Sequence, residues 1–342
     1  MRKRFLMALL LALLQPLMLA SCASPPPPSP PSPLAWPAPP ERARLRYVGS
    51  VTTPEDIEGP KRWYRRVWDA ILGTEDNRIQ RPYGVAADAR GRIYVADAAA
   101  ARVHVFDTAE RTYRAIRAVG KRPFRMPIGI AVASDGTLYV SDSELALVAV
   151  FDARGRLVRE LREGLQRPAG LALSPADDRL YVVDTLGHHV AVFDRGGTLL
   201  RFIGERGAGP TDLNFPTNIA VDRAGRLYIS DTMNFRIVML AADGSPRGSF
   251  GRLGDGSGDT SRPKGLGVDA DGNVWVVEGL HDVIQVFDQQ GRFLLAVGGT
   301  GVGPGSFWLP TGLHVDGAGR IYVADSYNHR VQMFQYLRES AS

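Results

Sequence analysis

Residues 309–334 read LPTGLHVDGAGRIYVADSYNHRVQMF, and this stretch contains three short apolar runs separated by turn residues. Pro310 opens the first run, a glycine-containing turn ends at Gly319, and the second run ends at Asp325. Short β-branched and aromatic runs bounded by Gly, Asn, Asp and Pro are typical of β-strands joined by tight turns. The stretch therefore predicts three consecutive β-strands.

A similar sequence pattern occurs six times along the chain. Each copy starts near a proline, and successive copies lie 41 to 48 residues apart, at Pro82, Pro127, Pro168, Pro216, Pro263 and Pro310. An acidic residue ends the second run of every copy: Asp97, Asp142, Asp184, Asp231, Glu278 and Asp325. Such a period is typical of β-propellers, because one unit cannot bury both faces of its sheet alone. We therefore predict an all-β fold, a six-bladed β-propeller with four-stranded antiparallel blades.

The repeated phrase resembles the NHL repeat, and the similarity extends over residues 82 to 337. The residues that match the stretch which characterises this family are Asp325, Asn328, His329, Arg330 and Val331. The resemblance implies a six-bladed propeller. Related six-bladed families include metal-dependent lactonases and esterases, and NHL-type lyases that cleave hydroxyglycine peptides. Those families place several Asn, Asp, Glu or His ligands around the mouth of the central channel.

An N-terminal strand is predicted to close the propeller. Leu45 to Val51 resembles the run that ends each repeat, whereas only residues 337–342 follow the third strand of the last repeat. We therefore expect the N-terminal strand to complete the last blade, which removes an exposed sheet edge. The propeller is expected to span residues 42–338 as one domain.

The first 21 residues predict a lipoprotein signal peptide. Arg2, Lys3 and Arg4 form a basic segment, and the apolar segment from Phe5 to Leu14 is too short to span a bilayer. Residues 19–22 read LASC, which resembles the bacterial lipobox, and the resemblance implies that Cys22 becomes the lipidated first residue of the mature chain. Ala23 and not Asp follows Cys22, and for a cell with two membranes the resemblance to bacterial lipoproteins implies an exported protein on the periplasmic side of the outer membrane.

Composition narrows the possible partners. Cys22 is the only cysteine, which excludes a disulfide framework. Removal of the three basic residues of the signal peptide lowers the formal net charge from +5 to +2, so charge gives no argument for nucleic acid. Residues 22–41 are mostly Pro, Ser and Ala and predict a polyproline II tether that holds the propeller away from the membrane.

Residues 60–73 read PKRWYRRVWDAILG and predict one short inserted helix, with Pro at its start and Gly at its end. Trp63, Trp68 and neighbouring apolar residues form a stripe that must rest on another surface, because a helix of this length is unstable alone. Packing on the propeller, docking to a partner protein and lying on the membrane surface are the three alternatives.

The face that carries this helix is the predicted functional face. In a propeller, loops leading into the innermost strands share a face with loops between the second and third strands. Three of the former are long and rich in glycine: Glu205 to Phe215, Arg252 to Arg262 and Gly299 to Leu309. Aromatic residues on exposed loops are typical interface anchors. We therefore predict partner contacts through Trp63, Trp68, Phe215, Phe307 and Trp308.

The innermost strands predict a crowded channel wall. One position holds a small residue in five repeats and His314 in the sixth; the five are Ala86, Ala131, Ala172, Ala220 and Gly267. Asn218 replaces a glycine that recurs near the strand start in the other repeats. His314 and Asn218 are therefore the candidate catalytic residues, although His314 is also consistent with a hydrogen-bonded packing role.

No metal or cofactor is predicted, because two donors do not make a zinc or calcium site. The chain has no G-x-S-x-G, H-E-x-x-H or C-x-x-C-H motif. The recurring acidic residues are expected to hydrogen-bond the adjoining turns rather than to form a catalytic ring.

These features favour a lipid-anchored, non-catalytic binding or assembly module of the cell envelope, a monomeric propeller whose partner is another envelope protein. The first alternative is a metal-dependent hydrolase or lyase that uses the channel around His314 and Asn218. The second is a binder of glycans or peptidoglycan that uses the long loops.

Overall fold

Antiparallel β-strands make up nearly all regular structure in the computed structural model, which describes residues 34–60 and 76–338. The predicted signal peptide, Cys22, residues 22–33 of the predicted tether and the predicted helix beyond Pro60, with Trp63 and Trp68, lie outside the described residues. Within the described ranges, no helix has the length and apolar character needed to cross a membrane.

The strands of each blade are designated A to D from the channel outwards. The described chain begins with β1 (Ala35–Trp36), β2 (Leu45–Val51) and the one-turn helix α1 (Glu55–Glu58). Blade 1 contains β3 (Pro82–Ala87), β4 (Arg92–Asp97), β5 (Arg102–Asp107) and β6 (Thr112–Ile116). A small hairpin of β7 (Ala118–Val119) and β8 (Arg122–Pro123) follows. Blade 2 contains β9 (Pro127–Val132), β10 (Leu138–Asp142), β11 (Leu147–Phe151) and β12 (Leu157–Leu161).

The remaining blades repeat this order. Blade 3 contains β13 (Pro168–Leu173), β14 (Leu180–Asp184), β15 (His189–Phe193) and β16 (Leu199–Ile203). Blade 4 contains β17 (Asn218–Val221), β18 (Leu227–Asp231), β19 (Arg236–Leu240) and β20 (Pro246–Phe250). Blade 5 contains β21 (Pro263–Val268), β22 (Val274–Glu278), β23 (Val283–Phe287) and β24 (Phe293–Gly298). Blade 6 contains β25 (Pro310–Val315), β26 (Arg320–Asp325) and β27 (Arg330–Tyr336), and 3-10 turns lie at Thr232–Asn234 and Ser326–Asn328.

Strand β2 supplies the D strand of blade 6 and closes the ring, as the sequence predicts. It pairs antiparallel with β27, so that Tyr47 lies opposite Phe334 and Val51 opposite Val331. The all-β, six-bladed fold with four-stranded antiparallel blades is therefore confirmed.

Blade 6 also carries a fifth strand that the sequence analysis assigned to the tether. Ala35 and Trp36 form β1 and pair with Arg46 and Leu45 of β2. The Trp36 ring packs edge-on against Phe334, with 5.8 Å between ring centroids. The predicted tether boundary at residue 41 is therefore wrong, because Trp36 is partly buried against the blade and strand β1 pairs with β2.

A separate hydrophobic cluster fills each interface between adjacent blades of the described chain. The cluster that closes the ring joins Val51 of β2, Tyr322 and Val331 of blade 6, and Val85 and Ile93 of blade 1. The hydrophobic core is therefore a ring of six inter-blade layers, and each blade depends on both of its neighbours.

The A strands approach each other so closely that one position near the strand start tolerates no side chain in five of the six blades. A Cβ atom at Gly129 would lie 2.0 Å from the carbonyl oxygen of Ala169 in the next blade. At Gly312 it would lie 2.3 Å from the carbonyl oxygen of Tyr83, across the closing interface. The recurring glycine of the sequence is therefore required by contact between backbones of neighbouring blades.

Gly312→Ala is expected to lower the free energy of unfolding by about 2 kcal/mol, because the methyl group forces blades 6 and 1 apart. Gly317→Ala is the matched control, since a Cβ there meets no atom within 4 Å. Urea denaturation checks both variants. Equal stability of the two variants would contradict the contact argument.

Candidate functional site

The BC and DA loops form one face of the propeller, which we call the loop face. The BC loops are residues 98–101, 143–146, 185–188, 232–235, 279–282 and 326–329. The DA loops between blades are residues 117–126, 162–167, 204–217, 251–262 and 299–309, and the described parts of the loop leading into blade 1 are 52–60 and 76–81. The AB and CD turns form the opposite face.

The acidic residue at the end of each B strand lies under the loop face and accepts hydrogen bonds from its loops. All six carboxylates are fully buried. Asp325 accepts hydrogen bonds from the Trp308 N–H at 2.8 Å, from the Asn328 amide at 2.9 Å and from the Arg330 guanidinium at 2.8 Å. It thereby joins a DA loop to a BC loop. The predicted turn-bonding role of these residues is confirmed by these hydrogen bonds.

Asp97 shows the electrostatic consequence of this arrangement. Its carboxylate accepts hydrogen bonds from the N–H groups of Gln80, Arg81 and Ala100 and contacts the His104 ring. Burial acts to raise the pKa of Asp97, but the hydrogen bonds from His104 and the three backbone groups outweigh it, and the pKa is lowered.

In blades 4 and 6, the arginine of the NHL-like repeat holds a long DA loop in place. Arg330 donates to the carbonyl oxygens of Gly303 and Ser306 at 2.8 and 3.0 Å. In blade 4, Arg236 donates in the same way to Gly209 and Asp212. Both guanidinium groups are mostly buried. These arginines fix the loop conformation from within.

The channel is lined by the A strands and encloses about 190 Å³. The small residues predicted near the axis do line it, and each pairs with an aromatic residue of strand B; for example, Ala86 lies opposite Tyr94 and Gly267 opposite Trp275. Burial and contact with these rings therefore leave little room for functional side chains in the wall.

His314 and Asn218 both line the channel, as the sequence predicts for blades 6 and 4. The His314 ring lies 6.1 Å from the ring of Tyr322, and burial lowers the pKa of His314. The Asn218 oxygen accepts a hydrogen bond from the Ile219 N–H at 2.8 Å, and its side chain occupies the space beside Gly170. No group of three or more His, Cys, Asp or Glu side chains in residues 34–60 and 76–338 could hold a metal ion.

Of the predicted partner-binding residues, Phe307 is not on the surface. It is 0% exposed and packs against Phe334, in the space left by Gly298. The prediction for Phe307 is wrong because a bridge between Thr300 and Phe307 turns this ring into the interface of blades 5 and 6. Trp308 points outward, is 47% exposed and contacts Tyr327.

Phe215 is 36% exposed and packs edge-on against His188. The BC-loop tips add apolar side chains that the sequence analysis missed. The second residue of the four-residue BC loop is large and exposed in four consecutive blades, as Leu186, Met233, Leu280 and Tyr327. Blades 1 and 2 have Ala99 and Glu144 there. Alignment of this position across the repeats would have revealed the pattern.

Basic residues around the channel mouth were also missed. They flank the strand-start prolines: Arg81, Arg167 and Arg262 precede the prolines of blades 1, 3 and 5, and Lys264 follows the proline of blade 5. Tyr83 follows the proline of blade 1 and lines the channel. The sequence signal was available in the residues on either side of each proline.

Comparisons with known proteins agree with this architecture. The NHL repeat matches residues 124–151 and 307–334, and a family described as a 6-bladed beta-propeller matches residues 172–248. No curated protein sequence matches the chain. The chain is a six-bladed β-propeller that carries NHL repeats.

Solved structures share the fold at low identity. Virginiamycin B lyase from Staphylococcus aureus is 14% identical with a TM-score of 0.58, over 76% of this chain and 97% of that one. The gluconolactonase XC5397 from Xanthomonas campestris is 20% identical with a TM-score of 0.58, over 78% and 92%. An auxiliary nutrient binding protein from Bacteroides thetaiotaomicron is 13% identical with a TM-score of 0.59, over 77% and 71%. These likenesses show the fold alone.

Asp97→Asn is expected to lower the free energy of unfolding by about 2 kcal/mol near pH 7, because an amide cannot accept all of the hydrogen bonds that Asp97 accepts. Since folding lowers the pKa of Asp97, its contribution is present above the unfolded pKa of about 4 and is lost as the pH falls through the folded value. The difference between wild type and variant should therefore shrink from pH 6 towards pH 3.

Urea denaturation across this pH range measures the effect. Glu163→Gln, at an exposed loop position, is the control and should show no such trend. A stability difference for Asp97→Asn that is independent of pH would contradict the assignment.

Proposed function

We propose that this chain is a non-catalytic binding module of the bacterial cell envelope, anchored by a lipid on Cys22, and that its loop face binds a partner protein. The observation that carries the proposal is the row of exposed apolar side chains at four consecutive BC-loop tips, Leu186, Met233, Leu280 and Tyr327. Several large apolar side chains exposed on one face of a protein are typical of an interaction site.

The DA loops extend this apolar surface. Phe215 and Trp308 lie beside the BC-loop tips of blades 3 and 6 through their contacts with His188 and Tyr327. Leu253 and Val302 are exposed in the loops that lead into blades 5 and 6. Partly exposed aromatic rings supported by neighbouring side chains are suitable anchors, because they lose little conformational entropy on binding.

The opposite face has a different chemistry. Its AB turns carry pairs of Asp and Arg side chains, such as Asp88 with Arg92 at 2.6 Å and Asp316 with Arg320 at 2.8 Å. Its CD turns repeat the pattern in Asp288 and Arg292 at 2.5 Å. The carboxylates of these pairs are largely buried and already bonded to arginine. The asymmetry supports binding of a partner with a complementary apolar surface at the loop face.

A metal-dependent hydrolase or lyase is the second candidate. The observation that favours it is the presence of His314 in the channel wall with a lowered pKa, since the neutral imidazole is the form that binds a metal or accepts a proton. Metal analysis of the purified full-length chain tests this candidate. Stoichiometric metal that disappears in His314→Ala would support it over the binding module.

The triple variant Leu186→Ser, Met233→Ser, Leu280→Ser is expected to reduce partner recovery at least tenfold, because it removes the apolar contacts of three adjacent blades. The matched control is Val158→Ser, Leu200→Ser, Leu294→Ser, which alters exposed apolar residues on outer strands. Crosslinking in intact cells, purification of the chain and mass spectrometry provide the measurement.

A single envelope protein that is recovered with wild type and with the control, but not with the loop-face variant, supports the proposal. Recovery that is unaffected by the loop-face variant, or that falls equally in both variants, would overturn it.

Cys22→Ser is expected to abolish lipid attachment and to release the protein from the membrane fraction, since Cys22 is the only thiol in the chain. Incorporation of a labelled fatty acid and membrane fractionation are the measurements. Ser24→Ala is the control beside it. Continued labelling of the Cys22 variant would refute the anchor.

A further inference from the structure

Blade 5 lacks a hydrogen bond that four of the other blades make at the channel mouth, and blade 1, which has Ala98 at the same position, lacks it as well. In blades 2, 3, 4 and 6 the residue after the B-strand acid carries a hydroxyl that donates to the carbonyl oxygen of a proline in the next blade. These bonds are Ser143 to Pro168, Thr185 to Pro216, Thr232 to Pro263 and Ser326 to Pro82, at 2.6, 2.9, 2.9 and 2.5 Å. In blade 5 the residue is Gly279, which cannot make this bond.

The Lys264 side chain occupies the space that Gly279 leaves. A Cβ atom at Gly279 would lie 3.1 Å from Cδ and 3.2 Å from Cε of Lys264. Gly279 does not have a positive φ angle. A glycine at position 279 therefore leaves space for the Lys264 side chain, and it is not required by the backbone conformation.

Lys264 extends across the channel mouth. Its Nζ atom lies 5.7 Å from the ring centroid of Tyr83 in blade 1, although blade 6 lies between blades 5 and 1. Its backbone is fixed by the Ser230 hydroxyl, which donates to the Lys264 carbonyl oxygen at 2.6 Å. The hydrogen bond from Ser230 thus holds the Lys264 backbone, and the cation–π contact with Tyr83 holds its ammonium group.

The charge of Lys264 is not neutralised by a carboxylate. Within residues 34–60 and 76–338, its ammonium group forms no ion pair shorter than 4 Å. The nearby Glu278 is fully buried, and its oxygens accept hydrogen bonds from the N–H groups of Arg262, Leu280 and His281. The pKa of Lys264 is lowered to about 8, chiefly because of burial and secondly because of the positive charge of Arg262. The negative charge of Glu278 acts to raise this pKa.

Two further arginines lie at the same end of the A strands, because Arg167 and Arg262 directly precede the strand-start prolines of blades 3 and 5. Burial raises the pKa of the Tyr83 phenol, while the positive charges of Arg262 and Arg167 act to lower it. Arg167 and Arg262 are exposed, and Tyr83 is half-buried in the channel wall. The mouth thus combines a point charge, two planar guanidinium forks and a neutral hydroxyl donor.

We propose that Lys264, Arg262, Arg167 and Tyr83 form a binding site at the channel mouth for the carboxylate or phosphate group of a small organic anion. Arginine guanidinium groups bind either anion in bidentate fashion, and the half-buried Lys264 supplies an ammonium group that has no ion-pair partner among the described residues. The narrow channel limits what can enter behind the anionic group. The site is distinct from the apolar surface of the loop face, and the inference does not depend on the partner protein.

Isothermal titration calorimetry of the purified full-length chain with succinate and with inorganic phosphate tests the proposal. We expect Lys264→Met to weaken binding at least tenfold. Lys121→Met, at an exposed lysine of another DA loop, should have no effect. Gly279→Ser introduces the hydroxyl that blades 2, 3, 4 and 6 carry, and it should also weaken binding because it displaces Lys264.

The pH dependence gives a second readout. Succinate does not change charge between pH 6.5 and pH 9, so its affinity should fall as the pH rises through about 8 and Lys264 loses its proton. The charged or titratable groups that act on Lys264 are Arg262 and Glu278, and its ammonium group contacts the ring of Tyr83; the hydroxyl of Ser230, which bonds the Lys264 backbone, does not titrate. Lys264→Met should remove this pH dependence.

The two anions distinguish a carboxylate site from a phosphate site, and binding of either one supports the proposal. Absence of binding by both anions, or binding that is unchanged in Lys264→Met and Gly279→Ser, would overturn it. Recovery of the partner protein by crosslinking is measured on the same variants. It tests the loop-face proposal independently, so failure of one proposal can be distinguished from failure of the other.

Discussion

The close approach of six A strands around one axis is the constraint on which the rest of the structure depends. Backbone atoms of neighbouring blades come so near at Gly129 and Gly312 that a single methyl group has no space. The small residues that line the channel and the aromatic residues opposite them follow from the same geometry. Because β2 pairs with β27, this packing continues across the closing interface, where a hydrophobic cluster joins blade 6 to blade 1.

The buried carboxylates hold the loops on this ring of blades through hydrogen bonds. A carboxylate such as Asp325 accepts hydrogen bonds from a DA loop and a BC loop together, and Arg330 reaches from the same strand end into the longer loop. The residues that give the repeat its recognisable sequence are therefore used to hold the loops, and their side chains are largely removed from solvent. Function is left to positions that vary between repeats.

Those variable positions make the loop face asymmetric. The BC-loop tip is apolar in blades 3 to 6, whereas blades 1 and 2 carry Ala99 and Glu144. At the channel mouth, blade 5 lacks the hydroxyl found in four other blades and holds Lys264 in its place. An approximately six-fold scaffold thus carries exposed apolar side chains at four loop tips and a cationic side chain at the channel mouth, and the two proposed sites differ in the kind of ligand they suit.

The sequence by itself determined the number of blades, the closing strand, the glycines of the inner ring and the structural role of the acidic residues. Each of these depends on local pattern and period, which a linear sequence records directly. The sequence did not determine that Phe307 points inward while Trp308 points outward, because that depends on the bridge between Thr300 and Phe307. Only the tertiary structure decided that Lys264 and Tyr83 face each other, since residues from non-adjacent blades meet only when the ring closes around its axis.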